Sequence, residues 1–255
     1  RWSVLEESAR DDSAFDAVGG FPCVAKKPVG GYDGNGVRIV SARADIEDWL
    51  SEGPVLLEEQ VSFIRELALL SARNPSGDWA PWEPVETRQV ERVCSQVIAP
   101  APNMTESFLD SAQKLSRSVS EGVGIVGVLS VEVFELPGGS LVINELTMRP
   151  HNSGHVFTEL SRTSQFEQHL RAVANLPLGS TSFTSETGVM VNVLGVMDSE
   201  AKNAAWRQVP EAKIHDYSKA PRTGRKVGHV VVVGSEADNV LARASKAAAL
   251  MGMHE

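Results

Sequence analysis

The chain has 255 residues, 42% of them hydrophobic and 22% charged, with a formal net charge of −9. That length can bury a substantial core and suggests two domains or subdomains, and the composition is that of an ordinary water-soluble globular protein. The acidic balance argues against nucleic acid as a main partner, and no apolar run approaches the roughly 20 residues of a membrane span.

Taken in order, a short amphipathic helix is expected around Ser8 to Val18, followed by an apolar strand from Phe21 to Lys27. Gly30 to Gly36 holds four glycines in seven positions, and Val37 to Val40 reads as the returning strand. Glycine lets backbone N–H groups approach an anion closely, so this hairpin loop beside Lys26 is either a triphosphate cradle or a plain turn. It matches neither the P-loop nor the dinucleotide glycine pattern. A short helix over Ala44 to Leu50 precedes a buried strand, Val55 to Val61, which turns acidic at Glu58-Glu59. That segment either offers its backbone to an adenine edge or runs out to solvent. Glu66 to Arg73 and Trp79 to Val85 form an antiparallel pair around the Asn74-Pro75-Ser76-Gly77 turn, with Glu86 and Gln89 on the next strand. Thr105 caps a helix over Glu106 to Glu121 whose Phe108, Ala112, Leu115 and Val119 face the core. Cys23 and Cys94 are the only cysteines and lack metal-ligand spacing, which fits a reducing cytoplasm.

The most informative stretch runs from Glu132 to His155. Strands over Val126 to Leu136 and Leu141 to Leu146 flank Pro137-Gly138-Gly139, a hairpin signal. With Gly138 and Gly139 as a two-residue loop, Glu132 falls directly opposite Glu145, roughly 5 Å away at Cβ. Two carboxylates so placed are either solvated on an exposed face or joined by a divalent cation such as Mg²⁺. Arg149 to Thr163 follows as a donor-rich loop with Arg149, His151, Asn152, His155 and Arg162, a better functional candidate than a core segment. Ser164 and Glu167 have capping-box spacing, and Phe166, Leu170 and Val173 are expected on the buried face of the helix they start.

From Gly188 on the pattern becomes strands, Val189 to Val196, Lys213 to Tyr217 and Lys226 to Val233. A closing helix, Ser235 to Met251, covers what is expected to be a small separate sheet. Lys219 to Lys226 carries four positive charges in eight residues, which suits a phosphate group or a solvated turn.

Three separated segments together resemble one family. They are Gly30-Gly31-Tyr32-Asp33-Gly34-Asn35-Gly36, Asn144-Glu145-Leu146 with Arg149-Pro150-His151-Asn152-Ser153-Gly154-His155, and Gly224-Arg225-Lys226-Val227-Gly228-His229. The chain resembles the 5-(carboxyamino)imidazole ribonucleotide synthases, ATP-grasp ligases of purine biosynthesis. The resemblance implies an α+β ATP-grasp fold over residues 1–180, two α/β subdomains around an ATP site, followed by a small β-rich C-terminal domain over 181–255. It implies an ATP site of Lys26, Gly31, Tyr32, Asp33, Gly34, Asn35, Gly36, Val37, Glu58, Glu59, Gln60, Val61, Glu66, Gln89, Asn144 and Glu145. Gln89 stands where the family commonly has histidine. Mg²⁺ would be held by Glu132 and Glu145, and bicarbonate positioned by Arg149, His151 and Asn152. Tyr32, Asp33, Lys219, Arg225 and Lys226 would contact aminoimidazole ribonucleotide, the last two at its 5′-phosphate.

The same resemblance implies a cytoplasmic enzyme, often a homodimer. Family members begin with a Rossmann-like domain that supplies part of the site. None precedes Arg1, so the chain reads as a fragment. Two alternatives are another ATP-grasp carboxylate–amine ligase and a truncated, non-catalytic nucleotide-binding remnant. The Gly224-Arg225-Lys226 motif speaks against the first, and the retention of Glu132 and Glu145 against the second.

Overall fold

The computed structural model describes residues 1–8, 11–31, 34–90 and 93–251, without the side chain of Thr223. The chain divides into two compact units, one spanning residues 1–62 and one that starts at Phe63.

The first unit contains β1 (Trp2–Leu5), α1 (Ser13–Ala17), β2 (Cys23–Lys26), β3 (Val37–Val40), a 3₁₀ turn (Arg43–Ile46) running into α2 (Glu47–Leu50), and β4 (Val55–Glu59). Its strands pair antiparallel in the order β1-β4-β2-β3. Strand alternation sends Cys23 and Ala25 of β2 and Leu57 of β4 inward, where they pack with Leu5, Phe15, Ile46 and Leu50. Two expectations need trimming. The first helix covers only Ser13–Ala17, and the acidic strand ends at Glu59, short of Val61.

The second unit contains β5 (Arg65–Arg73), β6 (Trp79–Pro81), β7 (Val85–Val90), β8 (Val93–Ala99), α3 (Glu106–Gly122), β9 (Gly127–Glu135) and β10 (Leu141–Thr147). A 3₁₀ turn (Asn152–Gly154) and then α4 (Phe157–Leu160), α5 (Gln165–Val173), β11 (Thr187–Gly195), α6 (Ser199–Gln208), β12 (Lys213–Asp216), β13 (Arg222–Gly234) and α7 (Ala237–Ala249) complete it. One sheet runs through all of it in the order β10-β9-β5-β7-β8-β11-β13-β12, with β6 beside β5. The late strands therefore do not make a small sheet of their own. β11 pairs with β8 from Gly188↔Ala99 to Val191↔Gln96 and with β13 on its other side. The reason lies in β11 itself, buried on both faces along nearly its whole length, as only a strand with two neighbours and two covered faces can be.

The two faces of this sheet have different covers. One packs Leu67, Leu69, Val131 and Val133 against α3, and Val191, Val230 and Val232 against α7. The other buries Ala68, Leu70, Val97, Met190 and Val231 under Val156, Phe157 and Leu160. At one end this second face turns polar, and the candidate site lies there.

Three further differences have local causes. The stretch after Arg149, expected as loop, holds the 3₁₀ turn and α4. α6 was not foreseen, although Asp198 is a readable cap whose carboxylate accepts the Ala201 N–H at 2.8 Å. On α5 the faces are reversed: Ser164 caps it as expected, but Phe166, Leu170 and Val173 are 45%, 66% and 47% exposed, while Gln165, Gln168 and Ala172 are buried. Both buried amides are fully used. Gln168 Nε2 donates to the Gly179 carbonyl and its Oε1 accepts the Gly179 N–H, each at 2.8 Å. Gln165 clamps the site turn described below.

Candidate active site

The carboxylate pair is built by two irregularities of the β9–β10 hairpin. The loop is not the two-residue Gly138-Gly139 turn read from sequence. Gly139 N–H donates to the Leu136 carbonyl and Leu136 N–H to that of Ser140, so Pro137, Gly138 and Gly139 form a three-residue loop. That loop pairs Leu141 with Glu135 and Ile143 with Val133, a register that would put Asn144 across from Glu132. A bulge at Asn144 then shifts the ladder by one, and Glu145 becomes the partner of Glu132. The expected opposition holds, for a different reason.

Glu66 of β5 and Gln89 of β7 join this pair, with Gln89 Nε2 donating to Glu66 Oε2 at 3.1 Å. Burial, followed by the charge of Glu145, a hydrogen bond shared with it and the charge of Glu66, raises the Glu132 carboxyl to about 8, against a smaller opposing pull from Lys226. Burial likewise raises Glu66, eased by its bond to Gln89. Glu132 Oε1 is buried and has no hydrogen-bond donor among the described residues. His151 Nε2 lies 3.2 Å from it. An orphaned oxygen in a pair of like-charged carboxylates fits a divalent cation. No group of three or more His, Cys, Asp or Glu side chains converges as a cage among the described residues, so phosphate oxygens would have to complete the coordination.

The turn carrying His151 and Asn152 is fixed by Gln165. Gln165 Oε1 accepts the His151 N–H and its Nε2 donates to the His151 carbonyl, both at 2.8 Å. Gly154 must be glycine here, since a Cβ would stand 2.3 Å from Gln165 Oε1 and 2.6 Å from Leu70 Cδ2. The His151 ring accepts the Ser153 N–H at Nδ1, leaving Nε2–H toward Glu132. Asn152 Nδ2 is buried with no hydrogen-bond partner among the described residues. Arg149 is exposed and donates to the carbonyl of Pro150 at 2.9 Å.

A second bulge places Lys226. Val193 pairs with Gly228 and Leu194 with Lys226, which makes Val227 the extra residue. Val227 drops into the α7 core, and Lys226 joins the face of His229. There its charge acts on Glu132, Cys94 and His155. Cys94, raised to about 12 chiefly by burial, is an inert thiol. Arg225, one residue earlier on the strand, donates to the Ala220 carbonyl at 3.3 Å. Lys219 Nζ lies 5.0 Å over the Tyr217 ring.

In the first unit, Lys26 stands across from Val37 and forms an ion pair with Glu58 at 2.7 Å. The glycine loop between them is tight. Lys27 N–H donates to the Gly36 carbonyl at 2.9 Å, and Gly34 and Gly36 have φ of +76° and +79°. Asn35 helps close it, since a Cβ on Gly31 would lie 3.2 Å from the Asn35 carbonyl oxygen. Glu59 is engaged by Arg1 at 3.0 Å, and Gln60 and Val61 follow the end of β4. Tyr32 and Asp33 lie outside the described residues. A broad cavity of about 680 Å³ in this unit, among Glu6, Ser8, Glu47 and Leu50, touches none of these residues.

Within the second unit the fold thus gathers Glu66, Gln89, Glu132, Glu145, His151, Asn152 and Lys226. Sequence reasoning gave no role to Gln165, His215, Tyr217 or His229, and singled out His155 only as one of the polar residues of the donor-rich loop. The family motif contained His155 and His229, but their partners on β12 and α5 are distant in sequence.

Comparison with known proteins bears on this geometry. Residues 1–166 match the ATP-grasp domain family, and residues 188–243 match the phosphoribosylaminoimidazole carboxylase C-terminal domain. The chain is 45% identical to an N5-carboxyaminoimidazole ribonucleotide synthase of Mycobacterium tuberculosis, over 89% of this chain and 56% of that protein. Among solved structures it resembles the N5-carboxyaminoimidazole ribonucleotide synthetase of Thermus thermophilus, with a TM-score of 0.86 and 31% identity, covering 99% of this chain and 68% of that one. It also resembles an Aspergillus clavatus enzyme solved with ADP and 5-aminoimidazole ribonucleotide, with a TM-score of 0.85, 29% identity and coverage of 97% and 67%. The chain spans a little over half the length of the curated relatives it matches first. None of its described helices is long and apolar enough to cross a membrane.

Proposed function

We propose that this chain, which belongs to the N5-carboxyaminoimidazole ribonucleotide synthase family of ATP-grasp proteins, uses ATP and bicarbonate to carboxylate the exocyclic amine of 5-aminoimidazole ribonucleotide. The observation that carries this reading is the grouping of Glu132, Glu145, His151 and Lys226. Paired carboxylates suited to a metal-bound triphosphate stand beside a cation and an imidazole N–H suited to a small anion.

In the first step a bicarbonate oxygen attacks the γ-phosphorus, the bond to the β,γ-bridging oxygen breaks, and ADP leaves carboxyphosphate behind. In the second, the amine nitrogen attacks the carboxyl carbon, the C–O bond to phosphate breaks, and the amine loses a proton as phosphate departs. Such transfers depend mainly on positioning and charge stabilisation. Lys26, the Gly31 to Val37 loop, Glu58 to Val61, Glu66, Gln89 and Asn144 bind the nucleotide. Mg²⁺, held by Glu132 and Glu145 with phosphate oxygens, would supply neutralisation of the developing negative charge.

Arg149, His151 and Asn152 position bicarbonate. His151 acts as a donor, because Ser153 occupies its Nδ1. Lys226, whose charge acts on Glu132, borders this end of the site and also contacts the ribonucleotide. Tyr32, Asp33, Lys219 and Arg225 bind the ribonucleotide. We keep a functional division at residue 180, a reading supported by family matches that end at 166 and begin at 188.

The test is ADP release from the chain with Mg-ATP, bicarbonate and aminoimidazole ribonucleotide. Release should need all three and should not occur with formate in place of bicarbonate. ADP release indifferent to bicarbonate would overturn the reading. A cytoplasmic homodimer completes the proposal, supported by two free cysteines and the family resemblance, and light scattering tests the dimer.

A further inference from the structure

Beside the proposed bicarbonate end stands a group of rings to which the reaction gives no role. His155 stacks on His229 with ring centroids 4.7 Å apart and planes 1° apart, and His229 stacks on His215 at 4.4 Å and 12°. The rings come from three places: His155 ends the 3₁₀ turn of His151 and Asn152, His229 lies on β13 three residues after Lys226, and His215 lies opposite it on β12. Phenylalanines would stack as well, so stacking alone does not explain the choice of histidine.

The choice follows from one hydrogen bond per ring. His155 Nδ1 accepts from Gln165 Nε2 at 3.1 Å, the same amide that holds both backbone groups of His151. His229 Nδ1 shares a hydrogen bond with the Tyr217 hydroxyl at 2.7 Å, and His215 Nε2 donates to Glu159 Oε1 at 3.1 Å. Stacking sets each ring's plane and the hydrogen bond sets its rotation, so the group has one arrangement. Tyr217 is raised to about 12 by burial and keeps its proton. Two of the rings are neutral as well: burial holds His155 at about 4 and His229 at about 2. They therefore add no charge beside Lys226.

We propose that His155, His229 and His215, keyed by Gln165, Tyr217 and Glu159, are positioning residues that hold the His151–Asn152 turn at a fixed distance from the strand bearing Lys226. The inference rests on the proposed reaction for its consequence, and on the rings alone for its geometry. It separates these histidines from His151, which faces the reacting groups.

The experiment compares His155→Ala, which removes ring and acceptor, with His155→Phe, which keeps a stacked ring and removes only the acceptor. In bicarbonate-dependent ADP release, His155→Ala should lower kcat at least tenfold and raise the bicarbonate KM several-fold, with the ATP KM within twofold of wild type. His155→Phe should recover most of that loss. A purely structural role would reduce the yield of folded protein and leave both constants of the folded fraction unchanged, which would overturn the proposal. A second readout needs no activity. The His151 Cε1–Hε1 NMR signal should move in His155→Ala and lie nearer its wild-type position in His155→Phe, whereas an unmoved signal in folded His155→Ala would refute the positioning role. An inactive wild type would count against the reaction, and the His151 signal would still decide the positioning. Should His155→Ala not fold, Tyr217→Phe frees His229 alone, and an unmoved His151 signal there would be equally decisive.

Discussion

Glu145 faces Glu132 because Asn144 is an extra residue in its strand. The three-residue loop alone would have turned Glu145 to the other face of the sheet, among the apolar partners of α3, since one step of register reverses every side chain. The bulge supplies the missing step. Burial, with a like-charged neighbour on this face, then makes Glu132 an acid that holds its proton until something replaces it.

That relationship predicts a trade between stability and function. Because the folded-state pKa of Glu132 is raised, its protonated form favours folding below the unfolded value, and this contribution is lost as pH rises from about 4.5 through about 8. Glu132→Gln should therefore stabilise the fold at pH 8 to 9 by an amount on the order of 1–3 kcal/mol, seen as a raised melting temperature, and flatten its pH dependence. Turnover should be lost in this variant and in Glu145→Gln. Melting curves with and without Mg²⁺ check both parts, and a Glu132→Gln protein with a wild-type rate would remove this carboxylate from the site.

The ring stack predicts the opposite pH trend on the acid side. His155 and His229 have depressed folded-state values, so their contribution is intact above about 6.5 and erodes as pH falls toward about 4 and about 2. By pH 5 each ring contributes a loss of about 2 kcal/mol. The melting temperature should fall by several degrees between pH 7 and pH 5, and His155→Phe should reduce that fall. An equal fall in both proteins would count against the buried neutral rings.

Gly154→Ala tests the clamp on the His151 turn. A methyl group there would collide with Gln165 Oε1 and Leu70 Cδ2. We expect a cost of about 1–3 kcal/mol in thermal stability and a bicarbonate KM raised more than the ATP KM. The paired change Gln165→Ala removes one of the two obstructions, so the double variant should lose less than the sum of the single ones.

Gly36→Ala and Gly20→Ala have φ of +79° and +83° in common, so each should lose about 1–2 kcal/mol to backbone strain. Only at Gly36 would the new Cβ also approach another loop residue, at 3.3 Å from Gly31 Cα, whereas at Gly20 it meets nothing within 4 Å. Substitution at Gly36 alone should raise the ATP KM, measured by titration, with the Gly20 variant as the strain control.

Much of this protein was legible from local chemistry. The glycine loop, the Thr105 and Ser164 caps, the β9–β10 hairpin, the core stripe of α3 and the family motifs all depend on residues close in sequence, where spacing and turn preference suffice. What the sequence could not determine depends on residues far apart. The buried face of α5 went to Gln165 and Gln168 because their amides satisfy backbone groups at His151 and Gly179, and hydrophobic periodicity cannot anticipate such bonds. The joining of β8 to β11 merged two expected sheets into one, because strand pairing between distant segments leaves no local trace. The bulges at Asn144 and Val227 decided which side chains share the functional face. The Glu132–Glu145 pairing was foreseen through a shorter loop than the real one, and only the tertiary ladder shows the extra residue that produces it.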